Sequence, residues 1–211
     1  MDGLRAFAVF AVIIFHANAT WLPSGFLGVD IFFVISGFLI TGIIQRELQN
    51  GTFSLLNFYQ RRAKRILPAF LTVLSVATAA SAYIMLPTDF MDMLKSARYS
   101  LMFAANIYFG RQGGYFDTSS MEKPLQHIWS LSVEEQFYFV FPLLLMWLYQ
   151  KWQGLPQRKI RVLFAIFMCI SMASFYYEYN KYDAYFLTWT RVYELLIGAW
   201  FALAMRPASQ L

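Results

Sequence analysis

Between Ile66 and Thr88 the chain carries no charged residue at all. A helix crossing the hydrocarbon core of a bilayer needs about 20 mainly apolar residues, and within that core the backbone must satisfy its own hydrogen bonds. The stretch therefore predicts a transmembrane helix. Five more segments meet the same criterion. Leu4 to Trp21 has Arg5 at its start and His16 well inside, and Phe26 to Gln45 is opened by Asp30 and closed by Arg46. His127 to Tyr149 holds Glu134 and Glu135, Val162 to Tyr177 is short but uninterrupted, and Tyr185 to Met205 carries Arg191 and Glu194. Tyr99 to Gly110 is apolar yet too short to cross, and is predicted as a re-entrant or interfacial piece. The expected fold class is all-α: a polytopic membrane helix bundle of about six transmembrane helices plus that segment, in one domain over residues 1–211.

Composition points the same way. The chain is 59% hydrophobic and only 14% charged, against roughly a quarter charged in soluble domains. One cysteine, Cys169, excludes a disulfide scaffold. Met1-Asp2-Gly3-Leu4-Arg5 lacks a basic n-region, so no cleavable signal is expected. The net charge of +5 asks for no nucleic-acid partner, because membrane proteins collect Lys and Arg in cytoplasmic loops. With six spans and a cytoplasmic N-terminus, the inner side holds Arg5, Arg46, Arg61, Arg62, Lys64, Arg65, Lys151, Arg158, Lys159, Arg161 and Arg206. The outer side keeps Lys95, Arg98, Arg111, Lys123, Lys181 and Arg191. Both ends, Met1 and Leu211, are then predicted inside. No internal repeat or linker is visible.

Ionisable residues within spans are costly to bury, by about 2.5 to 3.5 kcal/mol on insertion scales, and mark function by default. Arg5 and His16 are eleven residues apart, which on an α-helix returns to within about 20° after a rise of roughly 16 Å. They are predicted on one face. A neutral imidazole is a nitrogen base that titrates near working pH; the plainer reading is a polar contact between helices. Arg61-Arg62-Ala63-Lys64-Arg65 precedes the third span, and Arg62 and Arg65 are predicted to face the same way. Guanidinium pairs grip phosphate bidentately, although a basic run also serves as a topology anchor on anionic lipid. His127, Ser130 and Glu134 stand at helical-neighbour spacing, and the adjacent carboxylates Glu134 and Glu135 could orient a histidine, receive a proton or pair with Arg191. Arg191 and Glu194 form an i,i+3 pair that is as readily structural as catalytic.

Five ordered motifs carry a resemblance. They are Asp2-Gly3-Leu4-Arg5-Ala6 through His16, then Gly28-Val29-Asp30-Ile31-Phe32-Phe33-Val34-Ile35-Ser36-Gly37-Phe38-Leu39, then Arg61-Arg62-Ala63-Lys64-Arg65-Ile66-Leu67-Pro68. Trp129-Ser130-Leu131-Ser132-Val133-Glu134-Glu135-Gln136-Phe137 and Thr190-Arg191-Val192-Tyr193-Glu194-Leu195-Leu196-Ile197-Gly198-Ala199 complete them. Across essentially the whole chain the sequence resembles the acyltransferase-3 family, and within it the O-antigen acetylase branch. The resemblance implies a membrane-embedded O-acyltransferase of the bacterial inner membrane. Its donor would be cytosolic acyl-CoA, usually acetyl-CoA. Its acceptor would be a cell-envelope glycan such as lipopolysaccharide O-antigen or peptidoglycan. No metal is implied.

Position by position, the resemblance makes Arg5 and His16 the family's Arg-x10-His pair, with His16 first choice for catalysis, and Arg62 and Arg65 its Arg-x-x-Arg motif for the acyl-CoA. Asp30, Ser36, Glu134, Glu135 and Arg191 match further family positions, and His127 and Glu194 remain candidates from the residues themselves. His16 is expected to act as general base or as transient acyl carrier. Arg5 or main-chain amides near Ser36-Gly37 are expected to hold the oxyanion. Family members usually have more than six spans, often with a periplasmic SGNH domain following, so the chain is expected to be incomplete at its C-terminus. The rival class is a non-catalytic transporter or scaffold for sugar or lipid export. Transporters also bury charge at mid-membrane and often show paired halves, and no half-to-half repeat is seen here.

Overall fold

A computed structural model describes residues 2–112, 123–152, 156–179 and 184–205. Among them the architecture is entirely helical: α1 (Asp2–Ala17), a 3-10 turn (Gly25–Leu27), α2 (Gly28–Gln49), α3 (Leu55–Ile84), α4 (Pro87–Leu101), α5 (Ala105–Gly110), α6 (Ile128–Lys151), α7 (Gln157–Glu178) and α8 (Thr188–Ala204). Lys181, Arg206 and the two chain ends, which the charge count assigns to loops or to the inner side, lie outside the described residues.

Four helices are long and apolar enough to cross a membrane: Gly25–Gln49, Leu55–Ile84, Ile128–Lys151 and Arg158–Glu178. At 16 and 17 residues, α1 and α8 are shorter. Whole faces of the long helices are bare and apolar, with Val76 63%, Tyr83 93% and Tyr176 86% exposed. A soluble monomer rarely exposes contiguous apolar area on this scale, so lipid is the solvent these faces fit.

The element ends differ from the expected spans for local reasons. The first span was expected to reach Trp21, but α1 stops at Ala17. Asn18 ends it: its Oδ1 accepts from the Thr20 amide at 2.9 Å and the Thr20 hydroxyl at 2.7 Å, a local closure that competes with helix continuation. Arg46 does not close α2, which runs on to Gln49, where Gly51 adopts φ +67° in the left-handed C-terminal cap that glycine favours. On α3, Ser54 caps the start by accepting from the Asn57 amide. The basic run Arg61 to Arg65 is thus two turns inside the helix rather than a flank of it. Ile84 ends α3 because Pro87, lacking an N–H, opens α4 as its first residue.

The segment expected to be one re-entrant piece, Tyr99 to Gly110, is broken. Its first residues finish α4 and its last form α5, with Phe103 between them at φ +50°. A bulky side chain rarely adopts that conformation, so tertiary contacts must hold it.

By contact the chain divides into two compact units. The first comprises Met1–Thr52, Leu144–Ser174 and Arg191–Leu211, and the second Phe53–Leu143 and Phe175–Thr190. Glycines set the packing of the first. A Cβ on Gly25 or Gly28 would stand 2.3 Å from the Ala11 or Ala8 carbonyl oxygen of α1. One on Gly37 would stand 1.9 Å from the Leu195 carbonyl oxygen, and one on Gly198 1.9 Å from that of Val34. Backbone therefore touches backbone at α1–α2 and α2–α8, the small-residue packing that membrane helices use. In the second unit α3 is tied to α6 by the Tyr59 hydroxyl, which donates to the Phe139 carbonyl at 2.8 Å. Its core is aromatic: Trp129, Tyr185 and Phe186 meet ring to ring at 5.1 to 5.8 Å.

Candidate functional site

In the first unit, the buried stripe of α1 is Ala8 and Ala11, flanked by half-buried Arg5, Val12 and Phe15. Gly25 and Gly28 admit this stripe to the 3-10 turn and α2. Arg5 therefore lies along α2, its guanidinium 5.8 Å from the Phe32 ring centroid. Its Nε is buried without a hydrogen-bond partner. His16, expected well inside a span, stands instead in the last turn of α1, exposed, because Asn18 stops the helix just beyond it. Its Nδ1 lies 2.8 Å from the Val12 carbonyl oxygen. A carbonyl only accepts, so Nδ1 carries the hydrogen and the neutral ring presents the lone pair of Nε2. Phe15 meets the ring edge-on at 5.4 Å.

The same unit holds a buried charge cluster. Arg191, 3% exposed, donates through Nη2 to Asp30 of α2 and places Nη1 2.9 Å from Glu194 Oε1 one turn along α8. The i,i+3 pair is read from spacing, but Asp30, 161 residues away in sequence, is not. Ser36 is fully buried, and its hydroxyl lacks a hydrogen-bond partner. The expectation that main-chain amides near Ser36-Gly37 hold an oxyanion is corrected here. Both residues lie in the middle of α2, where N–H groups are committed to carbonyls four residues back, and Leu195 closes the face of Gly37.

In the second unit, α3 and α6 line a cavity of about 430 Å³ with Tyr59, Arg62, Phe103, Glu135, Gln136 and Tyr138 among its walls. Arg62 is half-buried, its guanidinium 4.5 Å from the Tyr138 ring centroid. Arg65, one turn on, is exposed. The two share a side of α3, but only Arg62 lines the cavity. Glu134 and Glu135 diverge, as adjacent helical residues must. Glu134 is buried and accepts from the Tyr138 hydroxyl. Glu135 is half-buried at the cavity, and one of its carboxylate oxygens has no hydrogen-bond partner. His127 does not join them at helical spacing, because it lies in the turn before α6, where its carbonyl accepts from Ser130 at 3.1 Å.

Several residues that were not among the expected site residues complete this site. Gln136 donates to the Phe103 carbonyl at 2.8 Å and to Asn106 Oδ1 at 2.9 Å, and accepts from Thr188. Asn106 in turn donates to the Phe186 carbonyl and to Thr188 Oγ1, both at 3.1 Å. This network holds Phe103 in its left-handed conformation at the cavity wall. A glutamine next to paired glutamates was the available signal.

Long apolar helices with faces bare to lipid define a multi-pass membrane protein. The chain belongs to the acyltransferase-3 family, matching the description "Acyltransferase domain" over residues 1–207. It is 43% identical over 184 residues to an uncharacterized protein of Haemophilus influenzae, covering 82% of this chain and 73% of that protein. It is 38% identical over 212 residues to "O-acetyltransferase OatA" of Staphylococcus aureus, covering 98% of this chain and 34% of OatA. The chain thus spans about a third of the OatA length. No solved structure matches it.

Proposed function

We propose that the protein moves an acetyl group from cytosolic acyl-CoA to hydroxyls of a cell-envelope glycan, such as lipopolysaccharide O-antigen or peptidoglycan. The observation that carries the reading is His16, whose Nδ1 is spent on the Val12 carbonyl so that Nε2 is presented as a base. The glycan hydroxyl attacks the thioester carbonyl as Nε2 takes its proton. The new C–O bond forms, the C–S bond breaks, and the proton passes to the departing CoA sulfur. In the alternative course, Nε2 itself accepts the acyl group and hands it to the hydroxyl. Arg5, with an unpartnered Nε, is a half-buried cation about 16 Å along α1 from His16, and its part is to set α1 against α2 beside Phe32 rather than to touch the reacting carbonyl. Glu135 offers a carboxylate acceptor at the cavity, and Asp30, Arg191 and Glu194 hold α8 against α2. Ser36 and His127 carry no step in this scheme.

Donor binding falls to Arg62 and Arg65. CoA carries several phosphates, and planar guanidinium groups grip them where a point charge does not. Arg62→Ala or Arg65→Ala is expected to weaken acetyl-CoA binding about tenfold or more, measured by titration calorimetry on the protein in detergent, with Lys restoring little. Parental affinity with Lys at both positions would leave only a charge anchor.

The same reading places the protein in the bacterial inner membrane with a cytoplasmic N-terminus, α1 and α8 crossing as well as the four long helices, and α4–α5 outside the count of crossings. The family resemblance adds an SGNH domain in longer forms. In a Cys169→Ser background, Thr88→Cys is expected to react with an impermeant thiol reagent in cells with a permeable outer barrier, and Lys159→Cys only after lysis. The reverse pattern overturns the six-span arrangement.

A further inference from the structure

Arg62 projects from one helix over an aromatic ring carried by another, and that ring is itself tethered. The guanidinium lies 4.5 Å from the Tyr138 ring centroid. Tyr138 is 2% exposed and donates its hydroxyl to Glu134, one turn back on α6, which is also buried. A long cationic side chain beside a cavity has several rotamers open to it, and each must be given up when a phosphate is bound. A ring face within about 6 Å of the cation removes that freedom beforehand, and more strongly where water is excluded. Tyr59 hydrogen-bonds α3 to the Phe139 carbonyl, which keeps the two helices in register at this level.

We infer that Tyr138 and Glu134 are positioning residues for the acyl-CoA donor: Glu134 fixes the Tyr138 ring, and the ring fixes the Arg62 guanidinium at the cavity between α3 and α6. This rests on the proposed role of Arg62 in donor binding. It assigns Glu134 no contact with substrate and separates its role from that of its neighbour Glu135, whose carboxylate lines the cavity.

The test is the dissociation constant for acetyl-CoA, measured by titration calorimetry on variants of the full protein in detergent, with the melting temperature recorded alongside. Tyr138→Leu removes the ring and is expected to weaken binding roughly tenfold. Tyr138→Phe and Glu134→Ala each cut the tether and are expected to weaken it about threefold. Combined, those two should cost no more than either alone, because they remove the same hydrogen bond. Glu134→Gln, which still accepts from the hydroxyl, is expected to recover most of what Glu134→Ala loses. In an Arg62→Ala background, Tyr138→Leu should cause no further loss.

A merely structural tyrosine would lower the melting temperature in every background without this dependence on Arg62. Equal losses from Tyr138→Leu with and without Arg62, or parental affinity in Tyr138→Leu, overturn the inference. If Tyr138→Leu does not fold, the Tyr138→Phe and Glu134→Ala cycle decides, and additive losses overturn it. If Arg62→Ala alone leaves affinity unchanged, the donor-site reading fails instead, which the same data set distinguishes.

Discussion

His16→Ala is expected to abolish acetyl transfer, with a rate loss of about 10² to 10⁴ if the ring acts as general base, while the protein remains inserted and folded. The side chain is exposed at the end of α1. Its removal leaves one helical carbonyl, that of Val12, without a second partner, so the stability cost is at most about 1 kcal/mol. A loss of rate so far beyond the loss of stability marks a chemical role. His16→Gln is the sharper control, since a Gln amide still donates to a carbonyl but offers no nitrogen base. Acetyl transfer to glycan and melting temperature should be measured on both variants. A Gln variant that works at near the parent rate excludes both the base and the carrier course, and leaves His16 as a capping contact.

Arg191→Ala is expected to cost about 3 to 5 kcal/mol of stability, because it strands the buried Glu194 carboxylate and half-buried Asp30 without their cation. Asp30 and Glu194 both face that guanidinium, and Glu194 is 3% exposed. The loss should appear as a lower melting temperature and reduced recovery of folded protein in detergent. Arg191→Met combined with Asp30→Asn and Glu194→Gln removes the charges together and is expected to regain much of the loss, since breaking a buried cluster costs more than replacing it. Parental stability in Arg191→Ala would show that the cluster is not what secures α8 to α2. A triple variant no better than the single one would place the cost in packing instead.

Much of this was legible along the chain. Runs such as Ile66 to Thr88 must become helices because lipid offers the backbone no partner; α6 follows its expected span closely, whereas α3 begins at Leu55, eleven residues ahead of the expected Ile66. Arg191 and Glu194 pair because an i,i+3 spacing meets on any helix. Arg5 and His16 share a side of α1 for the same reason. Less legible were the element ends, where side chains compete with the backbone. Asn18 ends a helix that hydropathy carries on to Trp21, and Gly51 lets α2 outlast Arg46. Phe103 could not be anticipated, since nothing in its own chemistry favours φ +50°; Gln136, 33 residues away, holds its carbonyl.

The sequence by itself determined that this is a helical membrane protein and where its apolar segments lie. Those properties follow from local composition and from periodicities that a single helix already expresses. Tertiary structure alone decided that Asp30 joins Arg191, that Arg62 rests on Tyr138 while Arg65 stays exposed, and that Glu134 and Glu135 take different surroundings. It also decided the use of Gly25, Gly28, Gly37 and Gly198 as points where helix backbones touch. Each of these depends on which residue of a second helix arrives opposite the first, and sequence spacing within one helix carries no record of that.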